Sequence, residues 1–135
     1  MCIRDRFSGP HLCCVTSKRT LVLGASPKPD RYSNLAVLRL LSHGHPVSAV
    51  GRRPGFIGTL PIGTAIPEDI EFDTITLYLN ASNQAIHEAR MLALRPKRII
   101  FNPGAENRRF ARAAEANGIE VMEGCTLVML SAGTF

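Results

Sequence analysis

The sequence predicts an α/β protein in three layers: a mostly parallel sheet of about five strands with helices on both faces. Two observations carry that expectation. Short apolar runs alternate along the chain with longer segments of helical period, and the joints between them are short. The first run, Leu21-Val22-Leu23, is apolar at successive positions, as a strand covered on both faces requires. Parallel strands joined through helices are connected right-handedly, so every strand-to-helix loop falls on one edge of the sheet.

Composition bounds the function. The chain of 135 residues is long enough for one domain with a substantial core. Its 45% hydrophobic and 20% charged content is that of a globular protein. A net charge of +5 favours an anionic partner. Aromatics are only 6%, and no Lys/Arg run exceeds two residues, which argues against nucleic acid. Cys2, Cys13, Cys14 and Cys125 form no C-x-x-C and no disulfide framework. That pattern fits a reducing, cytoplasmic compartment and gives no metal site. No apolar run approaches the roughly 18–20 residues that span a bilayer, and no signal-peptide core is present.

In chain order, residues 1–17 have neither period, and Ser8-Gly9-Pro10 breaks any start. A disordered or non-native tail is expected there, with the domain at 18–135. After strand Leu21–Leu23, a helix is predicted over Ser33–His43, burying Leu35, Val37, Leu38 and Leu41 and capped by Ser33 or Asn34. His45–Val50 reads as a strand. Residues 51–70, rich in Gly and Pro, read as irregular with one short strand near Ile62–Ala65. Thr74–Leu79 is β-branched and aromatic, a strong strand. Ser82–Leu94 reads as one helix burying Ala85, Ile86, Ala89, Leu92 and Ala93. Lys97–Phe101 is a strand, Glu106–Asn117 a helix on Phe110, Ala113 and Ala114, and Ile119–Met122 the last clear strand. Thr126–Leu130 favours a short closing helix. The apolar stretch Thr126–Phe135 also offers a homodimer interface.

Four polar clusters meet on the ligand edge of such a fold. They are Gly24–Asn34, Gly51-Arg52-Arg53, Asn80–Asn83 and Asn102–Asn107. Gly24 permits a sharp turn and close approach. Ser26 adds a hydroxyl, Lys28 and Arg31 add charge, and the following helix offers free N–H groups to phosphate. Neither G-x-G-x-x-G nor G-x-x-x-x-G-K-[ST] is present. At the end of the second strand, NAD binders place a carboxylate for the ribose 2′-OH. Here Arg52 and Arg53 favour a ribose phosphate instead, as NADP and coenzyme A both carry. Solvated surface arginines and an ordinary helix cap remain the bland readings of these loops. His43 and His45 lie at the opposite edge, and His87 reads as solvent-facing. Cys125 reads as a small buried hydrophobe, with thiol exchange as the sharper alternative. No catalytic set assembles.

The run Leu21–Ser33, with Phe101–Asn107 and Gly124–Leu130, resembles the small stand-alone CoA-binding proteins, particularly a bacterial branch with N-P-G-x-E-N. These are similar to the nucleotide-binding domain of the succinyl-CoA synthetase alpha subunit. The resemblance spans Lys18 to Phe135. It implies a Rossmann-like domain binding coenzyme A or acyl-CoA without catalysis. Gly24, Ala25, Ser26 and Arg31 would surround the diphosphate, with Lys28, Ser33 and Asn34 in the same loop and helix start. Gly51, Arg52 and Arg53 would face the adenosine end, and Asn80, Asn102, Pro103 and Gly104 the pantetheine. The synthetases place a ligase domain and a phosphorylated histidine beyond such a module, and ligase activity is not part of what the resemblance implies for this chain. The alternatives are an NADP-binding oxidoreductase fragment and a nucleotide-sensing regulatory module. Arg108, Arg109 and Arg112 lend the latter a basic helix that Glu106 and Glu115 dilute.

Overall fold

The structure, a computed structural model, describes residues 17–135. The expectations for the tail, including Cys2, Cys13 and Cys14, lie outside the described residues. The α/β expectation holds: a seven-stranded sheet, in the order β3-β4-β2-β1-β5-β6-β7, carries helices on both faces. The strands are β1 Thr20–Leu23, β2 Val47–Val50, β3 Gly55–Ile57, β4 Leu60–Gly63, β5 Thr74–Leu77, β6 Arg98–Phe101 and β7 Glu120–Glu123. All pairings are parallel except β3 with β4. The helices are α1 Tyr32–Ser42, α2 Ala81–Gln84, α3 Glu88–Leu94, α4 Arg108–Ala116 and α5 Thr126–Ala132, with a 3-10 turn at Ala85–His87 between α2 and α3.

β1 runs down the middle, and its alternation divides the core. Leu21 and Leu23 face one side with Ile75, Leu77, Ile99 and Phe101, under Met91 of α3 and Phe110 and Ala114 of α4. Val22 faces the other with Ala49, Ile57 and Ile62, under Val37 and Leu40 of α1 and Leu130 of α5. The Leu and Ile side chains of β1, β5 and β6 are fully buried or nearly so, each contributing about 1.5–3 kcal/mol by transfer from water. The chain leaves β1 to build β2, β3 and β4 on one side, then returns across it to build β5, β6 and β7 on the other. The carboxyl end of β1 is therefore the switch point, where a crevice opens between diverging connections.

Seven strands rather than about five follow from residues 51–70. That Gly/Pro-rich stretch folds as the β3–β4 hairpin, not as an irregular loop with one strand. Gly58 takes φ +60 and Thr59 an ordinary φ, the pattern of a two-residue type II′ turn. Ile57 and Leu60 close that turn, so Pro61 opposes Phe56 at the next position, where an antiparallel ladder asks for no N–H.

Two helices bury different faces from those expected. In α1, Ser33, Asn34, Ala36, Val37 and Leu40 are buried, whereas Leu35, Leu38 and Leu41 are exposed. Arg31, not Ser33 or Asn34, occupies the cap position, and no side chain caps this helix. The Ser82–Leu94 segment is not one continuous helix. The 3-10 turn shifts its phase, so Gln84 and Met91 point inward and Ile86 is 84% exposed. Gln84 enters the interior because its amide donates to the carbonyls of Leu79 and Ala105, each at 2.7 Å. Farther on, α4 starts at Arg108, two residues later than expected, with Asn107 accepting from the Phe110 N–H at 3.1 Å. Glu106 stays in the loop and accepts from the Gly104 N–H at 3.0 Å. The closing helix forms as expected, and Met129 and Leu130 are spent on this chain's own core, leaving Val128 outside.

Candidate functional site

Two of the four polar clusters, those at Gly24 and Gly51, meet at the carboxyl end of β1, with Leu79 beside them. Gly24 and Ala25 both donate their N–H groups to the Val50 carbonyl, at 2.8 and 2.9 Å, tying the first loop to the end of β2. Gly24 takes φ +100, and a Cβ there would lie 3.0 Å from the Tyr78 carbonyl carbon and 3.2 Å from the Leu79 nitrogen. A Cβ on Gly51 would lie 2.3 Å from the Ala25 oxygen. Both glycines are thus required by close backbone approach.

These contacts frame a cavity of about 290 Å³. Gly24 and Gly51 lie along it, Leu23, Val50, Leu79 and Ile86 give apolar walls, and Arg52, Thr64 and His87 supply the polar groups. Beside it, the first loop is internally braced. The Lys28 N–H donates to Ser26 Oγ at 3.2 Å, and Asn34 Nδ2 donates to the Ser26 carbonyl at 3.0 Å. Ser33 is buried in the first turn of α1. Lys28, Arg31, Arg52 and Arg53 are exposed, and none forms an ion pair among the described residues. The uncapped first turn of α1 and these four cations make this edge receptive to an anion.

The fourth cluster is different. Asn102 is buried, and its amide is consumed within the protein. Its Nδ2 donates to Thr76 Oγ1 at 2.6 Å and to the Leu77 carbonyl at 2.9 Å, while Oδ1 accepts from the Thr126 N–H at 2.9 Å. Asn102 thereby holds β5, β6 and the start of α5 together. Asn107 is likewise buried, donating to Gln84 Oε1 at 2.8 Å. Pro103 and Gly104 are exposed beside it and do not line the cavity. Asn80 also acts as a cap, accepting from the Asn83 N–H at 2.9 Å and the Ser82 hydroxyl at 3.0 Å.

His87 corrects the sequence reading in the other direction. It is half-buried rather than solvent-facing and lines the cavity. Burial pushes its pKa below the ordinary histidine value. The helical period hid it, because the 3-10 turn rotates the helix start. Its place in the first turns after Asn80, on the ligand edge, was the available signal. His45 fits the expected packing role, accepting from the Lys18 N–H at 3.0 Å at the opposite edge. Cys125 is half-buried at the start of α5. Near it, burial pushes Tyr78 up to about 12. Among the described residues, no group of three His, Cys, Asp or Glu side chains is arranged to hold a metal ion. No described helix is long and apolar enough to cross a membrane.

A family model described as "CoA binding domain" matches residues 18–131. The chain belongs to that family. A crystal structure of an uncharacterized protein is 50% identical, with a TM-score of 0.86, covering 89% of this chain and 99% of its own. A hypothetical protein from Pyrococcus horikoshii OT3 shares 21% identity at a TM-score of 0.78, covering 86% of this chain and 83% of that one. A protein from Thermus thermophilus shares 20% at 0.74, covering 87% and 91%. The last two bear on the fold alone. No curated protein matches.

Proposed function

We propose that the protein binds coenzyme A, free or acylated, without transforming it. The observation that carries this reading is the junction of Gly24, Gly51 and Arg52 around one cavity in a chain of the CoA binding domain family. Backbone drawn tight at two glycines leaves N–H groups and a helix start for the diphosphate. Arg52 and Arg53 supply charge for the ribose phosphate, and Lys28 and Arg31 add to the same field. Catalysis is left out because the polar lining is one guanidinium, one hydroxyl and one imidazole, with no hydrogen bond among them. No nucleophile–base pair arises from that set. A reducing, cytoplasmic setting accompanies this reading.

NADP is the second reading, because Arg52 and Arg53 suit its ribose phosphate equally well. Calorimetry with CoA, dephospho-CoA and NADPH separates the two. The proposal expects CoA to bind, with at least a roughly tenfold loss on removing the 3′-phosphate, the scale of one charge-assisted contact. Equal affinity for CoA and dephospho-CoA would remove the arginine argument. NADPH binding more tightly than CoA would replace the ligand.

A further inference from the structure

His87 and Arg52 are the two ionisable side chains that line the cavity, and they reach it from different elements. We propose that His87 is a proton-linked specificity residue of this site, so that protonation of its imidazole tightens the hold on a polyanionic ligand. The inference rests on the CoA reading above and adds its regulation by pH.

The surroundings of His87 favour this role. Its cavity neighbours Leu23, Val50, Leu79 and Ile86 bring no charge, and Thr64 brings only a hydroxyl. The ring makes no hydrogen bond among the described residues, so both nitrogens remain available. No carboxylate lines the cavity with it. On α3, which follows it, Glu88 is engaged by Arg109 at 2.8 Å, and Arg90 is engaged by Glu68 at 2.9 Å from the segment after β4. Burial alone lowers the imidazole pKa from its ordinary value. An anion entering beside Arg52 supplies the missing counter-charge. It raises the histidine pKa, and by linkage the protonated protein binds that anion more tightly.

Dephospho-CoA is the cleaner probe, since it lacks the 3′-monoester whose own proton titrates near pH 6. Its affinity should rise roughly three- to tenfold from about pH 8 to about pH 5, the range in which histidine side chains as a class change charge. His87→Gln, which keeps a polar side chain of similar reach, should flatten that slope. In the unaltered protein, NMR titration of the His87 ring should give a higher pKa with CoA bound than without. A pH-independent affinity, an equal slope in H87Q, or an unmoved ring pKa overturns the inference and leaves CoA binding intact. Absence of CoA and dephospho-CoA binding at every pH overturns both.

Discussion

The Ala25 carbonyl oxygen occupies the space that a side chain on Gly51 would need, at 2.3 Å from its Cβ position. The obstacle is backbone, held in turn because the Ala25 N–H is bonded to Val50. Relief requires moving the first loop away from β2. Gly51→Ala should therefore destabilise the protein by about 1–3 kcal/mol, the range for overpacking a fitted site, and weaken ligand binding at the same time. Gly124 has nothing within 4 Å of its Cβ position, so Gly124→Ala should leave the urea midpoint unchanged or slightly raised. Equal midpoints for G51A and the wild type would contradict this packing.

Gln84 joins three parts of the chain through one amide. It donates to Leu79 and Ala105 and accepts from Asn107, all at 2.7–2.8 Å. Gln84→Met keeps the volume and strands those partners. The expected cost is about 2–4 kcal/mol, from several buried groups each losing a bond. A double-mutant cycle with Asn107→Ala should show strong coupling, because both substitutions break the same bond. Additive costs would mean the two residues act independently.

Asn102 offers a direct comparison between a structural and a ligand-holding role. Its side chain supplies the bond to the Thr126 N–H at the start of α5. Asn102→Ala should cost about 1–3 kcal/mol, the penalty for unsatisfied buried polar groups, and should speed amide exchange in α5. Under conditions where the variant stays folded, its CoA affinity should change less than that of Arg52→Ala. The opposite order would return Asn102 to the ligand.

Tyr78 links stability to alkaline pH. Its hydroxyl is buried without a hydrogen-bond partner, and burial raises its pKa from 10.0 to about 12, an effect the nearby Thr126 and Thr76 hydroxyls partly offset. Above pH 10.0 the unfolded chain releases this proton and the folded one keeps it. Stability then falls as pH rises towards about 12, by on the order of 2–3 kcal/mol for this group. Denaturation of Tyr78→Phe across the same range should lack that component, and its tyrosinate absorbance should lack the late step. Identical pH profiles would show that the hydroxyl is solvated.

The sequence made the central strands legible, since β1 and β5 carry apolar or β-branched residues at successive positions and little else fits them. It hid the β3–β4 hairpin, because Gly55, Gly58, Pro61 and Gly63 look like loop residues unless the turn at Gly58 and the pairing phase of Pro61 are known. The glycine-bounded crevice was readable from topology, as Gly24 and Gly51 end adjacent strands. The inward asparagines were not. Asn102 and Asn107 find most of their partners 19–26 residues away in the chain, and only the folded contacts decide whether an amide faces a ligand or a carbonyl. His87 was missed for a related reason, since a single 3-10 turn sets which way that helix start faces.

Whether the crevice at Gly24, Gly51 and Arg52 holds CoA can be read by native mass spectrometry of the full chain purified from cells, then mixed with CoA and NADPH together. One CoA or acyl-CoA mass per chain is expected, retained from the cell or taken up from the mixture, and reduced in Arg52→Ala. A bound NADPH mass, or a chain that stays bare with CoA in excess, would contradict it.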